Sequence, residues 1–163
     1  MVGKWSQAGV PHRGWSCVGV EDLGAPEATC EMCETQEIRY VHTMHHPDYA
    51  ADLEVGCICA ERMEDDYVGP RQREKALRSA AGRKKRWLSR AWKISARGNP
   101  FINTDGFNVT IFRNTDGTWG GRIEERDSGR SVASKRKYPS EDSAKPAAFD
   151  GMIFLKNKRG WGS

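Results

Sequence analysis

Apolar positions recur along this chain with two periods, and the change from one to the other marks its organisation. Between Arg71 and Ser95, Leu77, Ala80, Ala81, Leu88, Ala91 and Trp92 return at 3.6-residue spacing, which predicts an amphipathic helix. If continuous, that helix is about 37 Å long at ~1.5 Å per residue. Gly82 is its weak point, since glycine costs about 1 kcal/mol there relative to alanine, and Gly98 and Pro100 supply a stop signal. Upstream, Ile38 to Met44 has strand character, His46-Pro47-Asp48 reads as a turn, and Leu53-Glu54-Val55 alternates into Gly56-Cys57. Ala60 to Tyr67 is rich in helix formers and is ended by Gly69-Pro70. Residues 1–29 hold many Gly and Pro without a period and read as irregular, with Trp15 and Val18 or Val20 packing on the cysteine-bearing module.

Downstream the period falls to two. Phe107, Val109 and Ile111 alternate with Asn108, Thr110 and Phe112, and Asn114-Thr115-Asp116-Gly117 is a hairpin signal. Trp119, Gly121 and Ile123 mark a second strand, Asp127-Ser128-Gly129 a second turn, and Ser131 to Tyr138 a third strand. Ser140 to Leu155 predicts a helix packed on this sheet through Ala144, Ala147, Ala148, Met152 and Leu155. Pro146 is awkward inside it, and a start near Ser143 would place that proline in the first turn. The implied fold class is α+β. It comprises a small metal-stapled module over residues 1–69, a basic connecting helix over 70–98, a three-stranded antiparallel sheet packed by one helix over 99–156, and a flexible tail at 157–163.

Composition narrows the picture. At 163 residues, with 37% apolar and 29% charged side chains, the core is modest and a bound metal would help a small module fold. No run approaches the ~18 apolar residues of a membrane span, and the first residues lack a secretory signal, so no membrane is expected and a cytoplasmic location is. Paired cysteines in that setting favour metal over disulfides.

Four of the five cysteines form two pairs, Cys30-Glu-Met-Cys33 and Cys57-Ile-Cys59, with 23 residues between them. Thiolates brought together in pairs are what a tetrahedral Zn²⁺ needs, so Cys30, Cys33, Cys57 and Cys59 are the expected ligands of a structural ion. A one-residue spacer strains simultaneous chelation by Cys57 and Cys59, so a histidine is an alternative to one of them. The fifth, Cys17, reads as a buried small apolar residue. The CxxC pair, predicted hairpin and second pair at a helix start resemble a treble-clef zinc module over residues 30–67. The histidine-bearing stretch CEMC…YVHTMHHPDY…LEVGCICAERM also looks like the zinc-stapled form of HNH nucleases. That likeness implies His45 or His46 as a water-activating base, near His42. The segment after Cys59 offers only Glu61, Glu64 or Asp65 where such nucleases hold a second metal with histidine or asparagine.

The net charge of +4 is unevenly placed. From Arg71 to Arg97 there are eleven Lys and Arg against one acid, Glu74. Lys75, Arg83, Arg86, Arg90, Lys93 and Arg97 fall opposite the apolar face of the predicted helix, spaced to follow a phosphate backbone and release its counterions. Trp87 is placed to stack on bases, whereas Trp92 falls on the apolar face and reads as core. Around residues 105–156, TWGGRIEER followed by YPSEDSAKPAAFD resembles the AP2-type DNA-binding domain, with Trp119 on the second strand and Ala147-Ala148-Phe149-Asp150 on the helix. The resemblance implies DNA reading from the exposed sheet face, where alternation puts Arg122, Arg126, Lys135 and Lys137, with Arg113 and Arg136 near the edge.

Together these features predict a zinc-containing protein that binds nucleic acid, DNA in preference to RNA, without catalysis. The alternatives are a metal-dependent HNH-like nuclease and a protein-interaction adaptor on a nucleoprotein assembly, which would bring a protein partner.

Overall fold

The structure is a computed structural model, and it describes residues 2–158. It is a mixed α+β architecture with antiparallel sheets, divided into two compact units, Met1–Arg78 and Ser79–Ser163. No described helix is long and apolar enough to cross a membrane.

In the first unit, strands β1 (Ser16–Asp22), β4 (Tyr40–His46) and β5 (Tyr49–Val55) form an antiparallel sheet in the order β1-β4-β5. The segment read as irregular thus supplies a full strand, with Val20 opposite His42. A short ribbon pairs β2 (Ala28–Thr29) with β3 (Glu37–Ile38). As the central strand, β4 buries residues of both faces, Val41 and Thr43 on one and His42 and Met44 on the other. Helix α1 (Cys57–Glu64) ends on Asp65 in the left-handed region at φ 54°. Gly69-Pro70 does not break a helix, as expected, but begins one, α2 (Gly69–Ser79). Asp66 Oδ1 accepts from the N–H groups of Val68 and Gly69 at 3.0 and 2.9 Å, and those bonds hold its carboxyl below its ordinary pKa. Proline there lacks only an N–H that the first turn leaves unpaired.

The predicted continuous basic helix over 70–98 is interrupted. It comprises α2, then α3 (Ala81–Lys85), then turns as far as Arg90, and it is shared between the two units. Ala80, at φ −91° and ψ 0°, leaves the helical region before α3, and after Lys85 the bonds tighten to three-residue turns, Arg86 N to Arg83 O and Trp87 N to Lys84 O, both at 3.1 Å. The second departure turns Trp87 inward, where it is 1% exposed and meets Phe149 edge-on at 5.0 Å and Trp92 at 5.3 Å. Trp92 Nε1 donates to the Trp87 carbonyl at 3.1 Å. Leu88, assigned to the core by the 3.6 period, is 46% exposed. Burying an indole among two other rings outweighs the few helical hydrogen bonds forgone.

The second unit carries five strands where three were expected, in the order β10-β9-β8-β7-β6. These are β6 (Lys93–Ile94), β7 (Pro100–Thr104), β8 (Phe107–Arg113), β9 (Trp119–Glu125) and β10 (Ser131–Ala133). The β7–β8 turn is Asp105-Gly106, both at positive φ (54° and 84°), the backbone form that an Asp-Gly pair favours between strands. β10 is shorter than predicted because at Ser134 the pairing becomes irregular: its N–H still donates to Gly121 O at 2.8 Å, but its Oγ accepts from Gly121 N at 3.0 Å. Helix α4 (Glu141–Asn157) starts at a Ser140/Ser143 capping box, so Pro146 lies past the first turn after all. The predicted tail begins inside α4, and residues 159–163 of it lie outside the described residues.

α4 covers the sheet face built from Ile102, Phe107, Val109, Ile111 and Ile123. Gly120 and Gly121 serve opposite faces. A Cβ on Gly121 would stand 3.2 Å from Ala148 of α4, and one on Gly120 would stand 3.0 Å from the Phe112 ring. Trp87→Ala is expected to cost the second unit about 3–5 kcal/mol, as loss of a buried ring usually does. Leu88→Ala should stay within ~0.5 kcal/mol, like other surface changes. Urea unfolding of the two variants against wild type measures both.

Candidate metal centre

The first cysteine pair sits on a tight turn. Cys30 O accepts from Glu34 N and Cys30 N donates to Gln36 O, both at 2.8 Å, and Glu34 takes φ 62° to close the loop. The backbone N–H groups of Cys33, Gly56 and Met32 all point at the Cys30 thiol. Cys59 enters from the first turn of α1, so a turn and a helix start present their sulfurs to one point. The Sγ atoms of Cys30, Cys33 and Cys59 lie within 4.8 Å of one another, with Cys30 and Cys59 buried. This trio can hold a metal ion.

The electrostatics favour a cation there. A hydrogen bond from the Cys59 thiol, joined by the three backbone N–H groups, outweighs burial and pulls Cys30 down to about 5. Cys59 is pushed up by the same partnership, so the two sulfurs share one proton that an ion would displace.

The outer layer comes from residues that sequence reading left without a role. Trp5 Nε1 donates to Cys59 Sγ at 3.4 Å, and Thr35 Oγ1 donates to Cys33 Sγ at 3.5 Å. Lys4 N donates to Met32 O at 2.7 Å, laying the 3-10 turn Gly3–Ser6 over the cysteine loop. A Cβ on Gly3, at φ +63°, would stand 2.5 Å from Cys33 O, so only glycine allows this approach. An N-terminal Gly-Lys-Trp without a period carries no signal of this; the nearness of Trp5 to the sulfurs is a product of the fold.

Cys57 does not join the trio, contrary to the expected set of four. Two positions along a helix turn a side chain through roughly 200°, so when Cys59 faces the loop Cys57 faces away. Its Sγ lies instead within 4.8 Å of His42 and Glu74. Burial, the Glu74 charge and a hydrogen bond to Glu61 push its thiol up to about 12. Among the described residues no histidine completes the three-sulfur group within that distance.

The remaining candidates are scattered. His46 is buried and both ring nitrogens serve the backbone, Nε2 with Arg13 O at 3.0 Å and Nδ1 with Asp48 N at 3.0 Å. His45 is exposed and bonded to Asp52 at 2.9 Å. Glu61 accepts from Arg71 at 3.2 Å and Glu64 from Arg73 at 3.0 Å, while Asp65 caps α1. Of the cations on the predicted ridge, Arg83 is paired with Asp105 at 2.8 Å. Arg90 reaches Thr104 and lies over the Trp87 ring. Lys75, Arg86, Lys93 and Arg97 are exposed. Arg122 is half exposed and bonded to Glu124 at 3.1 Å, and Lys137 is paired with Asp116 at 2.7 Å. Arg126 and Lys135 are exposed, but Lys135 and Lys137 lie past the end of β10 and so outside the ladder that alternation assumed.

No family model matches this chain, and neither curated proteins nor solved structures give a match.

Removing the Trp5 N–H while keeping its bulk, as in Trp5→Phe, should weaken metal binding at the trio by about 10-fold, the lower end for an outer-layer partner. Cys30→Ser and Cys59→Ser should weaken it by more than ~100-fold. Apparent affinity in wild type should fall as pH drops, because protons compete for the same sulfurs. Competitive Co²⁺ titration followed by thiolate-to-metal absorption reads all three.

Proposed function

We propose that this chain is a zinc-containing, non-catalytic nucleic-acid-binding protein, and that its second unit holds the polyanion. The supporting observation is a segregation of charge that coincides with the fold. The second unit has eighteen Lys and Arg against eight Asp and Glu, a net +10, whereas the first has eight against fourteen, a net −6. A surface so one-sided concentrates phosphates and is costly for a purely structural domain.

The face of the sheet turned from α4 supplies the contact surface. Strand register sets Lys93, Phe101, Thr110 and Arg122 side by side across β6, β7, β8 and β9, with Asn103 and Asn108 in the adjoining row. At ~4.8 Å per strand, that row spans about 14 Å. Lys93 and Arg122 are suited to phosphates, the asparagines to base edges, and Phe101 to stacking or to the methyl groups of thymines. Three central strands followed by a helix, with Trp119 opening the second and Phe149-Asp150 inside the helix, support the AP2-like reading and duplex DNA as the ligand. The basic segment enters this proposal as Arg86, Lys93 and Arg97, not as a continuous ridge.

The first unit has a stabilising role in this proposal. Its sulfur trio is best suited to Zn²⁺, and the order of cysteine loop, β4–β5 hairpin and cysteine-bearing helix supports a treble-clef module.

Salt-titrated binding to duplex DNA, single-stranded DNA and structured RNA tests the proposal. Wild type should bind duplex DNA tightest, with affinity falling steeply as salt rises. Lys93→Ala and Arg122→Ala should each lower the slope of log K against log salt by about 1. Binding that is weak on all three polymers and unchanged by either substitution would reject it in favour of the adaptor.

A further inference from the structure

The thiol that leaves the sulfur trio has its own company. Cys57 opens α1, and its Sγ, a ring nitrogen of His42 and a carboxylate oxygen of Glu74 lie within 4.8 Å of one another. The three side chains come from β4, α1 and α2, far apart in sequence and all within the first unit. His42 is fully buried, and the Glu74 side chain is 16% exposed. We propose that His42, Cys57 and Glu74 form a second metal site, distinct from the three cysteines, that takes a borderline-soft divalent cation of the Zn²⁺ class with water as its fourth ligand.

The donor set is the first argument. Imidazole, thiolate and carboxylate are the three ligand types zinc accepts, at bonds of about 2.0–2.3 Å. Around a tetrahedral ion such bonds separate donor atoms by about 3.3–3.8 Å, inside the span this cluster already occupies.

Charge is the second. Arg73 binds Glu64 through two nitrogens, and Arg71 binds Glu61 at 3.2 Å, so these neighbours neutralise one another. Arg78 stands 3.9 Å from Glu74 Oε1, while His42 meets the other oxygen, Oε2, at 2.8 Å. The Cys57 thiolate and the Glu74 carboxylate then match the two charges of the cation.

His42 already has both nitrogens occupied, Nε2 by Glu74 and Nδ1 by Arg73 Nε at 3.2 Å. Cys57 Sγ donates to Glu61 Oε1 at 3.5 Å, beside the His42–Glu74 pair. Loading moves the imidazole proton from Nε2 to Nδ1, so Arg73 Nε gives up its contact and keeps its two bonds to Glu64. The Cys57 proton goes to solvent, one released per ion bound.

The test is metal content of the purified full chain, with Co²⁺ titration under reducing conditions. Wild type should hold two ions per chain. Cys57→Ser and Glu74→Gln should each reduce this to one, while far-UV circular dichroism confirms that the variants fold. Cys33→Ser should remove the other ion and leave this one. A single ion in wild type that is lost in Cys57→Ser but kept in Cys33→Ser still supports the site and counts against the trio. Metal content unchanged by both Cys57→Ser and Glu74→Gln overturns it, and shows the cluster to be a hydrogen-bonded brace.

Discussion

One hydrogen-bonded sulfur, Cys30, organises the first unit. Three backbone N–H groups and the Cys59 thiol converge on it, drawn from the cysteine loop, the end of the hairpin and α1. Met32 and Cys33 define the loop, Gly56 follows the hairpin, and Cys59 lies in the first turn of α1. The Gly3–Ser6 turn lies over the loop and adds an N–H of Trp5 to Cys59. A cation at this point would tie the loop, the hairpin and α1 together directly, as bound metals do in small modules. A group of thiols with so many donors aimed at it is arranged for negative charge, and negative sulfur is what binds metal.

Helix geometry then sets how many clusters there are. Cys57 and Cys59 are neighbours in sequence but point in nearly opposite directions once α1 forms. The same turn of helix therefore serves the cysteine loop on one side and the pair His42 and Glu74 on the other. His42 occupies a central strand flanked by Val20 and Val55, where an imidazole must be fully partnered to be tolerated. Glu74 and Arg73 from α2 supply those partners, so the start of the basic segment is tied to the core of the first unit.

In the second unit, Trp87 has a comparable role. Its burial against Phe149 and Trp92 turns the chain out of helix and delivers Lys93 to an edge strand. Arg83 and Lys84 are drawn to Asp105 and Asp150, acids distant in sequence that cancel part of the apparent ridge. The cations that stay exposed are distributed over a sheet rather than along a helix. That changes the shape of the cationic surface without changing its sign.

Short-range chemistry was legible in the sequence. The alternation of β8 and β9 and the helix read over Ser140–Leu155 follow from local rules, and each is found, whereas the helix read over Ala60–Tyr67 lies three residues earlier, at Cys57–Glu64. The Asp105-Gly106 turn is equally local, an Asp-Gly signal that joins β7 to β8. What only the tertiary structure decided depends on direction and distance across the chain. Helical periodicity cannot tell whether Trp87 or Leu88 finds a ring to pack on, because Phe149 lies far along the chain, on α4. Counting cysteines cannot tell which sulfurs meet, because the angle between Cys57 and Cys59 exists only after α1 is wound. Charge along the sequence set the net sign of each unit, and pairing in space set which cations remain exposed.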